Sequence, residues 1–373
     1  MKKILHYVGR MNRGGMETFI MNLYRNIDRN RVQFDFAVHT KVPGDYDEEI
    51  IGMGGGICAF PPYKKNPYAY RKAWRDFFKQ HAHEYDVFHF HTNSLANVVA
   101  LEEAARAAIP VRIVHSHSSF ANKGKFQKLN DYLNVKHRKK LAHIATHLFA
   151  CSEKAAEWLY GGMSLNGKSV TLINNGVNCE QFRFCKETAE RKRKELGLEG
   201  KTVIGHIGKF IKVKNHSFLI DIIDKIAKSD KNVVCILIGD GELLEDVKKQ
   251  CEAYGILKHV KFLGVRSDIP ELLMCMDLFV MPSLYEGLPV SMIEAQASGV
   301  PALVSDTVSP EVKINENVEF CSLEDGAKAW ADVAAELIRK GRISDNQAVI
   351  NAGYDINATT RKYLELIGGV THD

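Results

Sequence analysis

The sequence has no long hydrophobic segment. None of its apolar runs approaches the roughly 18 residues that a helix needs to cross a bilayer, and the short apolar stretch at the start is interrupted by His6 and Arg10. Such a start does not have the uninterrupted apolar core of a secretory signal. We therefore expect a cytoplasmic protein that is neither secreted nor membrane-spanning.

The chain also has no CxxC pair among its eight cysteines. They are scattered along the sequence, and several lie in apolar, strand-like contexts such as VVCILI. Disulfide frameworks and zinc sites need closely spaced cysteines, which this pattern does not provide. We expect reduced, buried thiols.

A strong excess of charge is absent as well, because the formal net charge is only +5 for 373 residues. We expect no nucleic-acid partner. The exception is the basic run Lys123–Lys140, which contains six lysines and one arginine but only one acidic residue, Asp131. Three interpretations stay open for this run: a solvated helix face, a contact with an anionic membrane surface, or a contact with an acidic acceptor.

Length and strand pattern together predict an α/β protein with two domains. A chain of 373 residues is too long for one hydrophobic core, and its apolar runs alternate with helical-period segments, as in parallel sheets covered by helices. The runs of the first half are KILHYV, QFDFAVH, DVFHFH, VRIVH and HLFAC, and those of the second are TVIGHIG, VVCILIG, VKFLG, DLFVMP and PALVS. We predict two doubly wound, Rossmann-like parallel sheets in tandem.

The domain boundary is expected near residue 184, where the polar stretch Cys185–Lys201 precedes the first strand of the second half. This division gives domains of residues 1–183 and 184–354, followed by an amphipathic helix at about 355–373 that packs back on the first domain. Ligands of open α/β sheets bind beyond the carboxyl ends of the strands. We therefore expect the chemistry in a cleft between the facing sheets.

The segment MPSLYEGLPVSMIEAQASGVP carries the strongest functional signal. A strand leads into a loop with Glu286, and a helix follows that carries Glu294. Free backbone amides around Gly287 and Leu288, at the start of this helix, favour a phosphate or a sugar hydroxyl. Glu294 is placed to accept hydrogen bonds from paired hydroxyls such as those of a ribose. In isolation, two glutamates at this spacing are more often cap and surface residues than a site.

This segment resembles the E-x7-E motif of glycosyltransferase family 4, whose form is EG-[apolar]-P-x4-EA. Further blocks resemble the family in the same order: GRMNRGGMETFIMNL, FHFHTNS, VRIVHSHSS, ACSE, LINNGVN, IGKFIKVKNHSFLI, LIGDGE and VKFLGVRSDIPELL. The resemblance covers essentially the whole chain. It implies the GT-B architecture, with an acceptor-binding first domain and a donor-binding second domain.

The resemblance assigns the loops after the first strand of each domain. Gly14 and Gly15 resemble the family's glycine loop, which lets the backbone approach a donor phosphate or the acceptor. Their spacing, G-x4-G-G, is not the G-x-G-x-x-G of a dinucleotide oxidoreductase. Lys209 and Lys214 resemble the basic pair that faces the diphosphate, although the family usually has Arg at the position of Lys209, and Lys makes only a point-charge contact.

Two loops later in the second domain are secondary candidates. Gly239 and Gly241 resemble a loop on the nucleotide side, and the backbone at Val265 and Arg266 resembles one that contacts the base. In most proteins, glycines and polar residues at such positions simply form turns.

Four histidines lie near two strand ends of the first domain. His89 and His91 share one face of a strand, as His115 and His117 share one face beyond another, because side chains alternate along a strand. A zinc site is disfavoured because no Cys or carboxylate joins the pattern at ligand spacing. The resemblance implies that His115 is an active-site histidine lining the donor sugar, with His117 as the fallback and His91 as a secondary residue. His89 is expected to be a satisfied buried side chain.

No metal is expected at the D-x-D formed by Asp45 and Asp47 either. These acids precede further acids at what the pattern predicts to be a helix start, where negative charge suits the helix dipole. We predict no obligatory metal and no cofactor.

The resemblance as a whole implies a retaining glycosyltransferase. It would move a sugar from a nucleotide sugar, expected to be a UDP-sugar, to a glycan or lipid-linked acceptor in cell-surface polysaccharide synthesis. A peripheral position on the inner face of the cell membrane is left open. Glu286, His115 and Lys214 are its expected catalytic residues. Two alternatives stay open, a nucleotide-sugar epimerase of the same architecture and a non-catalytic nucleotide-sugar-binding protein.

Overall fold

The computed structural model describes residues 1–118, 127–343 and 345–368. Contacts divide the chain into two compact units: unit 1 is Met1–Gly176 with the segment from Ile356 onward, and unit 2 is Val177–Asp355. Each unit has its own parallel sheet. The predicted fold class is confirmed.

The sheet of unit 1 has eight strands within the described residues, in the order β3-β2-β1-β4-β5-β6-β8-β7, and only β7 runs antiparallel to its neighbour. The strands are β1 (Lys2–Tyr7), β2 (Val32–Val38), β3 (Ile57–Ala59), β4 (Val87–Thr92), β5 (Val111–Ser116), β6 (His147–Ala150), β7 (Ser164–Leu165) and β8 (Lys168–Leu172). The helices between them are α1 (Gly15–Asn26), α2 (Asp47–Gly52), α3 (Pro67–His81), α4 (Val99–Arg106), α5 (Gln127–Ile144) and α6 (Glu153–Tyr160).

The sheet of unit 2 has six parallel strands in its described part, in the order β11-β10-β9-β12-β13-β14. They are β9 (Thr202–Ile207), β10 (Val233–Ile238), β11 (Val260–Gly264), β12 (Leu278–Met281), β13 (Ala302–Ser305) and β14 (Val318–Cys321). The helices are α7 (Cys179–Phe182), α8 (Lys186–Leu196), α9 (His216–Ser229), α10 (Leu244–Ala253), α11 (Ile269–Cys275), α12 (Val290–Ala297), α13 (Gly326–Lys340) and α14 (Gln347–Asn351).

Strand β10 shows why these segments form central strands. All six of its residues, VVCILI, are buried. Val234 and Ile236 belong to the core on one face of the sheet, whereas Cys235 and Leu237 belong to the core on the other. A strand covered by helices on both faces needs such a continuous hydrophobic run.

The strand order of each sheet reverses direction at one position. In unit 1, β1 lies between β2 and β4, and in unit 2, β9 lies between β10 and β12. This arrangement leaves a crevice beyond the carboxyl ends of β1 and β4, and another beyond those of β9 and β12, which is where doubly wound sheets bind ligands.

The polar stretch after Cys185 is part of unit 2. Its residues form the charged helix α8, which packs against α11 in unit 2. Lys192 is buried there, with its Nζ 2.8 Å from Asp268, 2.7 Å from Glu195 and 3.1 Å from Glu271. The sequence did not reveal this contact, because a lysine that is buried among three carboxylates has the same charged composition as an exposed segment. The two units meet between Gly176 and Val177, several residues before the predicted boundary near residue 184.

The last described helix, α15 (Ile356–Leu366), belongs to unit 1. Its Ile356, Tyr363 and Leu364 are part of the core formed with β1, β2 and α1. Lys2 Nζ donates hydrogen bonds to the carbonyls of Ile367, at 2.8 Å, and of Gly368, at 2.6 Å. The end of the described chain is thereby fixed to its beginning.

Candidate functional site

The loops after β9 and β12 are joined directly in unit 2. The Leu284 N–H donates to the Val213 carbonyl at 2.8 Å, and Asn215 Nδ2 donates to the Pro282 carbonyl at 3.1 Å. Asn215 adopts a left-handed conformation with φ of 54°, which Asn tolerates better than most residues. These contacts bring the lysine-bearing loop next to the loop with Glu286.

Lys214 and Glu286 form an ion pair at this position. Nζ of Lys214 lies 2.6 Å from Oε1 of Glu286, and the two side chains are 17% and 16% exposed. The backbone of Glu286 is held from the other side, since it bridges to Val308 and its carbonyl accepts the Ser309 N–H at 3.2 Å. The structure therefore places two predicted residues in contact while both side chains remain accessible.

Glycines let the neighbouring loops approach this pair. A Cβ at Gly208 would lie 3.2 Å from Cδ and 3.3 Å from Cε of Lys214. Gly239 has φ of 140°, and a Cβ there would collide with the carbonyl of Gly208. The loops after β9 and β10 thus pack backbone against backbone, which larger residues would prevent.

Glu294 lies in the second turn of α12 and is partly buried. Burial raises the pKa of its carboxyl to about 7. Within the described residues we find no cation at ion-pair distance from it. Before this helix, Gly287 and Leu288 are partly exposed, and the N-cap residue Pro289 provides no side-chain cap. The Met292 N–H donates to the Pro289 carbonyl at 3.0 Å, and the amides of Val290 and Ser291 are left for another acceptor.

The remaining predicted residues of unit 2 differ in environment. Lys209 is exposed, and no ion-pair partner is found for it in the described part of the chain. Val265 is 55% exposed, whereas Arg266 donates two hydrogen bonds to Asp268, at 2.8 and 2.7 Å. The Gly264 carbonyl accepts the Gly239 N–H at 2.9 Å, which joins this loop to the glycine loops.

Sequence reasoning missed several residues that support this site. Asp268 holds both Arg266 and Lys192, and Ser309 holds the Glu286 backbone. His206 is fully buried with Nδ1 2.7 Å from the Val280 carbonyl, and burial lowers the pKa of its imidazole to about 4. Neither Asp268 nor Ser309 stands out in the sequence. His206 directly precedes the IGK block, so its position beside this block could have identified it.

In unit 1, the strand register brings together histidines of the neighbouring strands β1, β4 and β5. His6 of β1 is in register with His89 of β4, and His91 is in register with His115 of β5. His6 was not among the predicted residues, because only the strand register places it beside His89. The cluster is completed by His117, which is half-buried.

These five imidazoles form two hydrogen-bonded chains. His91 joins His6, at 2.9 Å, to His117, at 2.8 Å. His89 joins the Tyr363 hydroxyl, at 3.0 Å, to His115 Nδ1, at 3.2 Å. Burial lowers the pKa of every one of these histidines, to about 3 for His6 and His117. The cluster is therefore neutral at physiological pH.

Two groups of three histidines in this cluster have ligand nitrogens within 4.8 Å of one another: His6, His89 and His91, and also His91, His115 and His117. Neither group includes a described carboxylate or cysteine, and most of the nitrogens are already engaged with one another. The absence of a metal remains a prediction.

The glycine loop of unit 1 begins α1. Gly14 is the N-cap residue and Gly15 the first residue of the helix, with no side-chain cap. Asp45 accepts the Arg13 N–H at 2.9 Å, and Asp47 accepts the Gly44 N–H at 2.8 Å. Both aspartates therefore accept backbone hydrogen bonds, and the absence of a metal at this pair remains a prediction.

The basic run is only partly described. Lys123 and Lys125 lie outside the described residues, as does the side chain of Lys128. Arg138 is bound to the carbonyls of Trp158 and Leu159, and Lys140 pairs with Glu102 at 2.9 Å. One exposed stripe of α5 remains, formed at helical spacing by Tyr132, Val135, Lys136 and Lys139. In the described part of the chain, we find no helix with the length and hydrophobicity to span a bilayer.

All eight cysteines are free thiols. Six are buried, whereas Cys58 and Cys185 are only partly covered. The expectation of buried thiols thus holds for most but not all of them.

Comparison with known proteins identifies the class to which this fold and these loops belong. The family model "Glycosyltransferase Family 4" matches residues 13–181, and the model "Glycosyl transferases group 1" matches residues 188–355. The solved structure of Anabaena HepE in complex with UDP-glucose has a TM-score of 0.77 and 20% identity, covering 99% of this chain and 100% of that one. The architecture is GT-B.

The chain belongs to the glycosyltransferase family that joins these two domains. It is 36% identical over 361 residues to EpsF of Bacillus subtilis, which is named as a candidate glycosyltransferase, across 95% of this chain and 93% of EpsF. It is also 30% identical over 230 residues, 60% of this chain and 58% of the relative, to the Escherichia coli UDP-Gal:alpha-D-GlcNAc-diphosphoundecaprenol alpha-1,3-galactosyltransferase. The protein is a transferase, and the epimerase alternative is not favoured.

Proposed function

We propose that this chain is a retaining glycosyltransferase that moves a sugar from a UDP-sugar to a glycan or lipid-linked acceptor. The observation that carries the proposal is the ion pair of Lys214 and Glu286 at the reversal point of unit 2. A cation and a carboxylate side by side suit a ligand that has a charged diphosphate next to neutral sugar hydroxyls. Such groups stabilise charge that develops during the reaction.

Each predicted residue of unit 2 has a role in this proposal. Lys214, assisted by Lys209, neutralises the departing diphosphate, and Glu286 accepts hydrogen bonds from sugar hydroxyls. Glu294 accepts those of the ribose. The backbone at the exposed Val265 and at Arg266 contacts the base, and the amides near Gly287 and Leu288 bind a phosphate or sugar oxygen.

Unit 1 contributes neutral polar groups. His115 donates a hydrogen bond to a substrate oxygen, with His91 and His117 beside it. The backbone at Gly14 and Gly15 approaches the substrate at the free amino end of α1. We assign no metal to either unit, since the lysines provide the positive charge that the diphosphate needs.

Retention is supported by the name of the E. coli relative. Its donor is UDP-Gal and its product linkage is alpha-1,3. The galactose of UDP-galactose is itself α-linked, so that relative keeps the configuration. We propose the same outcome here, with the departing diphosphate oxygen receiving the acceptor proton on the same face of the sugar.

The acceptor proposed here is a lipid-linked saccharide used in cell-surface polysaccharide assembly. The E. coli relative is named for an acceptor of this kind, linked to diphosphoundecaprenol. The exposed stripe of α5, with two lysines beside Tyr132 and Val135, suits the surface of an anionic membrane. We propose a cytoplasmic protein that associates reversibly with the inner face of the membrane.

The test is acceptor-independent turnover of a panel of UDP-, GDP- and ADP-sugars, following nucleotide release and the anomeric configuration of the freed sugar by NMR. We expect one UDP-sugar to be hydrolysed with retained configuration. Inverted product would contradict the proposed mechanism. If no donor is hydrolysed, binding of the free nucleotides is measured instead. If none of them bound, the proposed donor site would be refuted.

A further inference from the structure

The loop after β11 is fixed at both of its ends. At its start, the Gly264 carbonyl accepts the Gly239 N–H at 2.9 Å, and Gly264 adopts a left-handed conformation with φ of 64°. At its end, Asp268 accepts two hydrogen bonds from Arg266, from Nε at 2.8 Å and from Nη2 at 2.7 Å. Between these points lies Val265, an apolar residue that is 55% exposed. The loop is therefore accessible to a ligand and yet held in place.

A β-bulge sets the direction in which this loop leaves the sheet. Leu237 of β10 is in register with Phe262 of β11. The next residue, Ile238, is in register with Gly264, so Leu263 is an extra residue on β11. A bulge bends its strand and redirects the residues that follow, and bulges are frequent next to active sites.

Asp268 occupies the N-cap position of α11 but does not cap this helix. Within the described residues its carboxylate makes no hydrogen bond to the first turn of α11, although capping is the usual role of an aspartate at this position. Both oxygens bind cations instead, because Oδ2 also lies 2.8 Å from Nζ of Lys192. The Arg266 guanidinium and the Lys192 ammonium hold the pKa of the Asp268 carboxyl well below its usual range. The carboxylate is therefore charged at physiological pH.

Lys192 connects this carboxylate to the interior of unit 2. It lies on α8 and is only 5% exposed. Its Nζ also pairs with Glu195 at 2.7 Å and with Glu271 at 3.1 Å. A buried ammonium needs such partners, and the packing of α8 against α11 fixes its position. Asp268 thereby ties the loop to a charge that the body of the domain holds still.

A backbone edge that is fixed in this way can discriminate between pyrimidine bases. Its N–H groups only donate hydrogen bonds, and its carbonyls only accept them. Uracil presents the donor N3–H beside carbonyl acceptors, whereas cytosine presents an acceptor at N3 beside a donating amino group. An edge that cannot rearrange fits one of these patterns and not the other. It also loses less conformational entropy when the base binds.

We infer that Asp268, anchored by Lys192, is a positioning residue that fixes the backbone of Val265 and Arg266 as the edge that selects uracil over cytosine. The contact between this edge and the base rests on the proposed function. The fixation of the loop follows from contacts within unit 2. Arg266 offers its backbone to the ligand, while its guanidinium binds Asp268.

The variant Asp268→Asn tests this inference. It keeps the size of the side chain but removes the charge and replaces one of the two acceptor oxygens by an NH2 donor. The bidentate contact with Arg266 is therefore lost. We expect UDP to bind roughly five- to tenfold more weakly in calorimetry, and the ratio of UDP affinity to CDP affinity to fall as well. In turnover of the donor, KM should rise while kcat changes less than about twofold.

Glu271→Gln is the matched control. It removes a carboxylate from the same buried lysine, with which Glu271 pairs at 3.1 Å, but it leaves both hydrogen bonds between Asp268 and Arg266. The UDP affinity and the ratio of UDP to CDP affinity should stay within about twofold of wild type. A double-mutant cycle gives a second comparison. Because Asp268 acts through Arg266, the losses in Asp268→Asn and Arg266→Gln should not add in the double variant.

The mobility of the loop is measured without a ligand. We would record ¹⁵N relaxation of the Val265 and Arg266 amides in the full chain labelled with ¹⁵N-valine and ¹⁵N-arginine. We expect order parameters of about 0.85 in the wild type and in Glu271→Gln, and below about 0.6 in Asp268→Asn.

Four results would overturn the inference: unchanged order parameters in Asp268→Asn, equal losses of UDP affinity in Asp268→Asn and Glu271→Gln, additive losses in the double-mutant cycle, or no preference of the wild type for UDP over CDP. If the wild type bound no UDP, the proposed function would be wrong, and the selection of uracil with it. The order parameters would still decide whether Asp268 fixes the loop.

Discussion

Units 1 and 2 have the same strand order around their reversal points but carry opposite kinds of polar chemistry there. In unit 1, four buried histidines and the half-buried His117 are paired with one another and with Tyr363, and all are neutral. In unit 2, Lys214 and Glu286 form an ion pair whose members are each about one-sixth exposed. One sheet topology therefore supports a neutral site and a charged one.

Burial explains the difference. Removing an imidazole from water disfavours its charged form, so the histidines of unit 1 can offer directed hydrogen bonds without charge. A diphosphate needs a positive partner, and Lys214 retains both a counterion and access to solvent. We propose on this basis that unit 2 binds the nucleotide, while unit 1 affects the turnover of the bound sugar.

Glu286→Gln tests the charged site most severely. The substitution removes the negative charge that pairs with Lys214 and replaces one of the two acceptor oxygens for sugar hydroxyls by an NH2 donor. We expect kcat/KM to fall by about 10²–10³, the usual effect of removing one preorganised polar group. Single-turnover nucleotide release measures it. The exposed Glu316 gives the control Glu316→Gln, and a Glu286→Gln rate within twofold of wild type would refute the assignment.

Lys214→Met should have the next largest effect. A charge-assisted hydrogen bond contributes about 1.5–3 kcal/mol, which corresponds to roughly 10- to 100-fold in kcat/KM for the donor. Lys212 is exposed in the same turn, and Lys212→Met should change kcat/KM less than threefold. Equal losses in the two variants would show that only the general charge of the loop matters.

We expect Glu294 to make the affinity for the donor depend on pH by a few-fold. Its folded-state pKa is raised from 4.5 to about 7, and in the proposed function ribose hydroxyls donate to the ionised carboxylate. Affinity for a UDP-sugar should therefore rise between pH 6 and 8 and then level off, as calorimetry would measure. Glu294→Gln should flatten this profile, and a profile unchanged by the substitution would exclude Glu294 as its source.

The same pKa shift affects stability in the opposite direction. The neutral carboxyl is the form favoured by folding, so its contribution is complete below about pH 4.5 and is lost as the pH rises through 7. Glu294→Gln should therefore raise Tm more at pH 8 than at pH 5, as a thermal unfolding series would measure. An equal change in Tm at both pH values would contradict the raised pKa.

The smallest effect is expected at the exposed stripe of α5. Replacing Lys136 and Lys139 by Gln should weaken binding to vesicles containing anionic lipid at low salt by roughly 1 kcal/mol per lysine, while donor hydrolysis in solution is unchanged. Vesicle sedimentation measures the binding. If the wild type does not bind these vesicles at low salt, the membrane contact is wrong.

The sequence predicted both sheets, because continuous apolar runs such as VVCILI leave few alternatives. It also predicted Lys214 and Glu286, through their family motifs, although not their ion pair, which depends on loops that meet only in three dimensions. The role of α8 was missed since a buried lysine among carboxylates has the composition of a linker. His6 was missed because strand register, and not local spacing, places it beside His89.

The most direct test of this division is calorimetric binding of UDP to two variants, Lys214→Met and His115→Asn. UDP contains the diphosphate but no transferable sugar. We expect Lys214→Met to weaken UDP binding about tenfold, and His115→Asn to bind UDP within twofold of wild type while its sugar transfer is strongly reduced. If His115→Asn weakened UDP binding as much as Lys214→Met, or if neither variant changed it, the proposed division between the units would be contradicted.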